Sequence, residues 1–331
     1  MLIDSVRELK QSFLESMLKD VAETPTAFAL SVASKPMEEL TIMRTIAIGA
    51  SLHGKEHKVA VRVQRKELME SKLLDKLSKK AKGEIEIIFV GEIGKSAVNP
   101  QTKKIRPLAI GYSCGHFKIT AGTLGAFVKP RTGAGTMILS NNHVLANENS
   151  AKKGDAILQP GQIDGGTAAD AVAKLTSFVK LSSTKINLVD CAVATVDTPI
   201  KFDVSTIKGL GKLKGVSAKK VEDLMGAAVA KLGRTTGLRK GKITAFELDN
   251  VVVGYGPSLG AIRFDNQIEI TTTEARPFSM GGDSGSLIVD DNNEAVALLF
   301  AGSSSANGGL GITYANPIHA VLNALKVDLL F

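Results

Sequence analysis

A run of glycines surrounds a single serine in the segment Gly281–Val289. Gly282 and Gly285 stand on either side of Ser284, and an apolar stretch typical of a β-strand begins at Leu287. Glycines leave the backbone free to turn, so the amides around Ser284 can point into one small cavity. A nucleophilic serine needs an exposed hydroxyl and N–H donors aimed at the oxyanion that forms on a carbonyl. A glycine-rich turn between two strands has the same composition, so a histidine and an acid must decide between the two interpretations.

Five histidines are present, and His143 is the one that directly follows a strand-like run, at 136–140. A side chain just past the end of a strand is held by a rigid scaffold and can face a cleft. His53 and His57 flank a turn, and no third ligand accompanies them, so we expect no metal site there. His143 is therefore the candidate general base.

Most acidic residues lie in polar stretches, whereas Asp190 lies within the apolar run Leu188–Ala194. A carboxylate there needs a hydrogen-bonding partner, because burying an unpaired charge is costly. An imidazole is such a partner, since the carboxylate fixes its tautomer and stabilises the imidazolium. Weaker candidates lie in glycine- and alanine-rich sequence: Asp155, Asp164 and Asp170. His143, Asp190 and Ser284 thus form a candidate set for nucleophilic catalysis.

The second part of the chain must position these residues, and its pattern predicts mainly β-structure. Short apolar runs alternate with glycine-containing turns, which is typical of a β-barrel or sandwich. A helix is expected at 317–325. We therefore place this β-domain at 108–331, after a polar linker at 96–107.

The pattern of residues 1–95 differs and predicts a small α+β domain. Apolar residues at spacings of three and four predict an amphipathic helix over 3–22. The remaining expected elements are a hairpin at 45–50 and 59–63, a helix at 67–81 and a strand at 84–90. Because the helix over 3–22 has an apolar face without an assigned partner, we expect this domain to assemble copies of the chain or recruit a partner.

Three segments resemble the signature segments of chymotrypsin-like serine proteases: Ser140–Ala146, Val189–Val193 and Gly282–Ser286. The segment Lys231–Gly237 is similar to a strand and turn of bacterial members. Further segments resemble the bacterial subgroup related to the plant narrow-leaf proteins: Ile119–Gly125, Ser140–Asn147, Gln159–Gly161 and Phe300–Gly302. That subgroup carries a small N-terminal domain before the protease.

The resemblance implies a double β-barrel with His143, Asp190 and Ser284 as catalytic triad in the cleft between the barrels. Ser284 would attack a peptide carbonyl, and the backbone N–H groups of Gly282 and Ser284 would form the oxyanion hole. Phe300–Gly302 would pair with an extended peptide substrate by β-addition. No cofactor or metal is implied.

The resemblance also implies a specificity pocket with Phe278 at its base. Its walls would be formed by Ser279, Gly302, Gly311, Ile312 and Thr313. A pocket for lysine or arginine needs a carboxylate at the base, so a small or medium apolar side chain is expected instead. We further expect Asp283 to pair with Lys231 or Arg234, which would shape the oxyanion hole without proteolytic activation.

Composition and charge indicate in which compartment, and with which partners, this chemistry would take place. The formal net charge is +8, but basic and acidic residues are interspersed and no nucleic-acid motif is recognisable, so no nucleic-acid partner is expected. The two cysteines, the lack of a signal peptide and the lack of a long apolar run favour a cytoplasmic protein without a membrane partner. Two alternatives stay open: a binding scaffold that keeps the protease fold, and a protease that is silent until a partner or oligomerisation activates it.

Overall fold

A computed structural model describes residues 1–22, 45–54, 56–91, 93–94, 101–303 and 306–331. The α-helices in these ranges are α1 (Ile3–Ala22), α2 (Lys72–Lys80), α3 (Asn142–Leu145) and α4 (Ile318–Leu325). In this part of the chain, no helix combines the length and the apolar character needed to cross a membrane.

Short strands form the rest of the regular structure. In chain order they are β1 (Ile46–His53), β2 (Glu56–Val63), β3 (Ile85–Phe89), β4 (Ile93–Gly94), β5 (Ser113–His116), β6 (Gly122–Thr123), β7 (Ala126–Pro130), β8 (Met137–Ser140), β9 (Ala156–Leu158), β10 (Ala171–Phe178), β11 (Ala192–Val196), β12 (Thr206–Ile207), β13 (Gly211–Lys212), β14 (Gly215–Val216), β15 (Ala228–Gly233), β16 (Gly237–Asp249), β17 (Val251–Gly254), β18 (Ala261–Phe264), β19 (Gln267–Thr272), β20 (Leu287–Asp290), β21 (Glu294–Ser303), β22 (Ile312–Pro317) and β23 (Val327–Leu329).

The first barrel is a curled sheet in the order β23-β7-β8-β11-β10-β9-β5-β6. Strand β11 lies near its centre, and its residues Ala192, Val193 and Ala194 are buried, as the unbroken apolar run predicts. This sheet packs on α4 and on the outer face of the second barrel through one apolar core. The predicted helix at 317–325 is therefore confirmed.

The second barrel is a closed ring of six strands. Its order is β15-β20-β21-β22-β19-β16, and β16 pairs again with β15 to close the ring. Closure leaves the ring without a terminal strand, although β21 extends past the last residue that β20 pairs, Leu298. The expected fold class, an α+β N-terminal region followed by a mainly-β double barrel, is confirmed.

The N-terminal elements have the predicted order, with one difference. The helix over 3–22 and the hairpin of β1 and β2 are present. The helix expected at 67–81 is divided into a 3₁₀ turn at Lys66–Glu70 and α2, because Ser71 has extended backbone angles and caps α2. Its Oγ accepts a hydrogen bond of 3.4 Å from the amide of Leu74.

The N-terminal strands continue the sheet of the second barrel. Strand β1 pairs with β16, opposing Ile48 to Asp249 and Ala50 to Phe246, and β2 and β3 follow outward. Helix α1 covers β1 and β2, and its buried residues Val6 and Phe13 share a core with Phe246. The division at residue 95 stays a prediction, but the main-chain hydrogen bonding crosses it.

A buried ion pair reinforces this connection. The Arg62 guanidinium, on β2, donates bidentate hydrogen bonds of 2.6 and 2.9 Å to the Glu269 carboxylate on β19. Both side chains are almost completely buried, at 1% and 0% exposure. The nearby carboxylates of Glu269 and Glu86 keep the pKa of Arg62 above its ordinary value despite its burial. The pair therefore ties the N-terminal hairpin to the barrel that carries Ser284.

Replacing Arg62 by methionine should lower the free energy of unfolding by about 3 kcal/mol, because Glu269 then stays buried without its cation. Chemical denaturation measures this loss. The matched control is Arg131→Met, whose pair with Asp328 is 42% and 50% exposed and should contribute less than about 1 kcal/mol. Equal losses from the two variants would contradict the assigned role of the Arg62 pair.

Candidate active site

His143 and Asp190 are hydrogen-bonded at the cleft between the two barrels. His143 lies in α3, one short turn after β8, and Asp190 immediately precedes β11, which pairs with β8. Asp190 Oδ2 lies 2.5 Å from Nδ1 of His143, and the two residues are 0% and 8% exposed. This contact fixes the tautomer with the proton on Nδ1, leaving Nε2 as a proton acceptor.

The carboxylate of Asp190 is held by further donors. Its Oδ1 accepts hydrogen bonds from the backbone amides of Asn142 and His143, at 2.6 and 3.3 Å. Burial by itself raises the pKa of Asp190, but the adjacent His143 and the hydrogen bonds outweigh it, so the pKa is lowered from the ordinary aspartate value. The carboxylate therefore stays ionised while buried.

Tyr255 contributes a third contact to Asp190. Its hydroxyl donates to Asp190 Oδ2 at 2.6 Å, and its ring meets the His143 ring edge-on at 5.9 Å. Burial, followed by the charge of Asp190, raises the pKa of Tyr255 well above its ordinary value, so the hydroxyl keeps its proton. Tyr255 lies just beyond β17, at the tip of a hairpin formed with β18. The amide of the next residue, Gly256, donates to Glu148 at 2.7 Å and anchors this tip.

Ser284 lies in the turn before β20 and is 7% exposed. Its Oγ donates a weak hydrogen bond of 3.4 Å to the carbonyl of Phe300. Ser284 and His143 line the same cleft, which has a volume of about 510 Å³. The three predicted triad residues are therefore gathered at one site, with Asp190 behind His143 and Ser284 facing the cleft.

The loop before Ser284 has its carbonyls bound and two amides unbonded. The Thr123 hydroxyl donates to Gly282 O at 2.8 Å, and the Thr123 amide donates to Ser284 O at 2.8 Å. The Thr235 hydroxyl donates to Gly281 O at 2.6 Å. Within the described part of the chain, the amides of Gly282 and Ser284 donate to no protein group. These are the two amides that the family resemblance assigns to an oxyanion hole.

A buried ion pair holds the loop that precedes Ser284 in place. Lys231 Nζ lies 3.0 Å from Asp283 Oδ2, and both side chains are 0% exposed. The Asp283 carboxylate also accepts hydrogen bonds from the amides of Met280, Thr235 and Thr236 and from the Thr236 hydroxyl, at 2.8–3.1 Å. Burial lowers the pKa of Lys231, and Asp283 opposes this effect.

Arg234, the other predicted partner of Asp283, pairs elsewhere. Its guanidinium donates bidentate hydrogen bonds of 2.7 and 2.6 Å to Asp164. Asp164, which the sequence indicates only as a weak candidate acid, also accepts from the Ser113 hydroxyl at 2.5 Å. Arg234 therefore joins the two barrels beside the cleft, and Lys231 alone of the two neutralises Asp283.

A narrow pocket of about 140 Å³ adjoins Ser284. Ser279 lines one wall, where its hydroxyl is hydrogen-bonded to Thr313 at 2.6 Å, and Gly302 and Gly311 line the other side. Phe300 and Ala301 of β21 complete the pocket, whereas the expected wall residues Ile312 and Thr313 do not line it. No charged side chain is found among the described residues that line it.

The prediction that Phe278 forms the pocket base is wrong. The Phe278 side chain is 2% exposed and packs in the core of the second barrel with Ile243 and Ile270. The neighbouring residues Pro277 and Ser279 line the pocket instead. The aromatic ring is buried in the apolar core of the barrel, where its burial is more favourable than exposure in the pocket.

The site's geometry can be compared with known proteins. A family model described as the Nal1 C-terminal domain matches residues 109–317, more than half of the chain. The chain belongs to this family. The rice protein NARROW LEAF 1 (Oryza sativa subsp. japonica) is 29% identical over 187 residues, which cover 51% of this chain and 31% of that protein. The chain thus spans less than a third of that Nal1 relative's length, and the predicted resemblance to narrow-leaf proteins is confirmed.

Solved serine proteases resemble this Nal1-family chain in fold. Thermobifida fusca Protease A is 18% identical with a TM-score of 0.46, covering 67% of this chain and 98% of the protease. A glutamic acid specific serine protease that uses a histidine triad in substrate binding is 19% identical with a TM-score of 0.48, covering 67% and 100%.

Sequence reasoning missed Tyr255 and Thr123, which hold the site together. Tyr255 follows the run Val251–Val253 in a glycine-containing turn, and nothing local indicates that its hydroxyl reaches Asp190. Thr123 is identified only as part of a family-like segment. Both act across long sequence separations, so only the packing of the two barrels reveals them.

A double-mutant cycle should identify the partner of Asp283. Lys231→Met and Asp283→Asn should each lower the free energy of unfolding by about 3 kcal/mol, because each leaves a buried charge unpaired. Because they remove one interaction, the double variant should show a coupling energy of about 2 kcal/mol. The same cycle with Arg234→Met should be close to additive. Additivity for Lys231, or strong coupling for Arg234, would contradict the pairing.

Proposed function

We propose that this chain is a serine endopeptidase that hydrolyses peptide bonds through His143, Asp190 and Ser284. The observation that carries the proposal is that His143, fixed from behind by Asp190 at 2.5 Å, shares one cleft with Ser284. The unbonded amides of Gly282 and Ser284 support the same assignment. All the groups that acyl transfer requires are therefore available within this chain.

In the proposed reaction, Ser284 Oγ turns from Phe300 O towards Nε2 of His143, which takes its proton as Oγ attacks the substrate carbonyl. The imidazolium that forms is stabilised by the ionised Asp190. Negative charge on the former carbonyl oxygen is bound by the amides of Gly282 and Ser284. His143 then returns the proton to the leaving amine as the peptide C–N bond breaks, which leaves the acyl group on Ser284. A water molecule, deprotonated by His143, attacks this ester and frees Ser284.

The proposal extends to the enzyme's compartment, its N-terminal region and its substrate. We propose a cytoplasmic enzyme, supported by Cys114 and Cys191, which are both buried and unpaired. The N-terminal region is proposed to assemble copies of the chain or recruit a partner, while doing no chemistry itself. Because the apolar face of α1 packs on β1 and β2 through Val6 and Phe13, such a contact would use another surface of this region. A protein or peptide is the proposed substrate, with no cofactor.

A fluorophosphonate probe should label the purified full-length chain at Ser284, because the probe reacts with a serine activated by His143. Peptide mapping by mass spectrometry locates the adduct. Ser284→Ala should abolish labelling, and Asp190→Asn should slow it on the order of 10³-fold or more. His116→Gln is the matched control, because His116 pairs with Asp155 at 3.0 Å away from the cleft. Absence of labelling in the folded chain would favour a binding scaffold instead.

The pocket should favour a small or medium apolar side chain before the scissile bond, such as alanine, valine or leucine. Its described lining carries no carboxylate to pair a cation, so cleavage after lysine or arginine should be at least about 100-fold slower. Peptide-library cleavage with mass-spectrometric readout measures this preference. A library dominated by lysine or arginine at that position would contradict the assigned pocket.

A further inference from the structure

Strand β21 has one edge that faces the candidate active site. On one side β22 pairs with it as far as Ser303. On the other side the last residue that β20 pairs is Leu298. Beyond that point the edge runs past Ser284, whose Oγ lies 3.4 Å from Phe300 O. An extended peptide that reaches Ser284 can therefore add to this edge as a further strand.

The direction of such a peptide follows from the two cavities. The leaving amine must receive its proton from His143, so the leaving side of the substrate occupies the larger cleft that His143 lines. The acyl side must then run away from Ser284 along Phe300, Ala301 and Gly302, antiparallel to β21. Each residue of the substrate advances by about 3.3 Å along this edge.

The chain's own strand β4 is paired on that edge. Gly94 opposes Gly302 and Ile93 opposes Ser303 in antiparallel register. Strand β4 therefore runs towards Phe300, in the same direction as the acyl side of a substrate. Among the described residues, β4 pairs with Gly302 and Ser303 and with no earlier position of this edge, such as Phe300 or Ala301.

The segment before β4 is anchored in the core. Val90 is 0% exposed and packs in the apolar cluster that contains Phe300 and Ala301. Its carbonyl accepts a hydrogen bond from the Ser303 hydroxyl, and its amide donates to Val63 O at 2.8 Å. Strand β4 also lies beside β17. These contacts hold β4 beside the pocket from the N-terminal sheet.

We propose that β4 replaces the third and fourth acyl-side residues of a substrate, so that only two substrate residues pair with β21. This rests on the proposed peptidase function and adds a limit to its substrates. The N-terminal region then determines specificity, because its strand completes the sheet that an extended peptide would otherwise extend.

The test uses the full-length chain and a series of peptide amides that carry one to four residues before the scissile bond. We expect kcat/KM to rise from one residue to two and to change less than about twofold with a third or fourth. A rise of about tenfold or more on adding the third residue, which two main-chain hydrogen bonds would provide, would overturn the proposal. Intact mass measured before and after the assay verifies that the chain stays uncut.

Paired variants of β4 test whether its main-chain amides block the edge of β21. Ile93→Pro with Gly94→Pro removes both amides, so the edge should open and the third residue should now raise kcat/KM about tenfold. Ile93→Ala with Gly94→Ala keeps both amides and is the matched control, expected to behave as the parent chain. The proposal would be overturned if the proline variant stays folded, as judged by thermal melting, and its kcat/KM still does not rise when the third residue is added.

Two further readouts separate this proposal from the peptidase assignment. Fluorophosphonate labelling of Ser284 reports the catalytic function alone. Hydrogen–deuterium exchange of the segment 300–303 reports the pairing of β4 alone and needs no turnover. Faster exchange in the proline variant than in the alanine variant supports the pairing, and equal exchange contradicts it, whether or not Ser284 reacts.

Discussion

The buried ion pair between Lys231 and Asp283 is the interaction on which the candidate active site depends. Removing two charges from water costs several kcal/mol each, and both side chains are fully buried. The pair persists because amides and a hydroxyl from Met280, Thr235 and Thr236 complete the shell of the carboxylate. The same hydrogen bonds fix the loop whose amides, at Gly282 and Ser284, remain unbonded.

The source of the cation matters for how the site is formed. Lys231 lies on β15, which pairs with β20 directly after the Ser284 turn. The charge of Asp283 is thus neutralised within one closed barrel. The other barrel contributes the proposed acid–base pair, and the two barrels approach closely at Gly285, where a Cβ would lie 2.1 Å from Ser140 Oγ and 2.4 Å from Thr123 O. Gly285 also has a φ of +93°, so glycine is required there on both counts.

Local sequence signals predict much of this arrangement. The strand preceding His143, the apolar run around Asp190 and the glycines around Ser284 each indicate a side chain's surroundings, because burial and backbone freedom are local properties. The prediction that Phe278 forms the pocket base is wrong because the position of a residue along the chain does not show on which side of the backbone its side chain lies. Tyr255 and Asp164 act through contacts between distant segments, and the pairing of β4 with β21 joins two such segments.

A crystal structure of the full-length chain after reaction with a fluorophosphonate tests the proposed active site most directly. We expect a phosphonyl group on Ser284 Oγ, with its oxygen within hydrogen-bond distance of the amides of Gly282 and Ser284. Lys231 and Asp283 should remain paired below them, and Asp190 should remain bonded to His143. An unmodified Ser284, or an adduct whose oxygen points away from both amides, would contradict it.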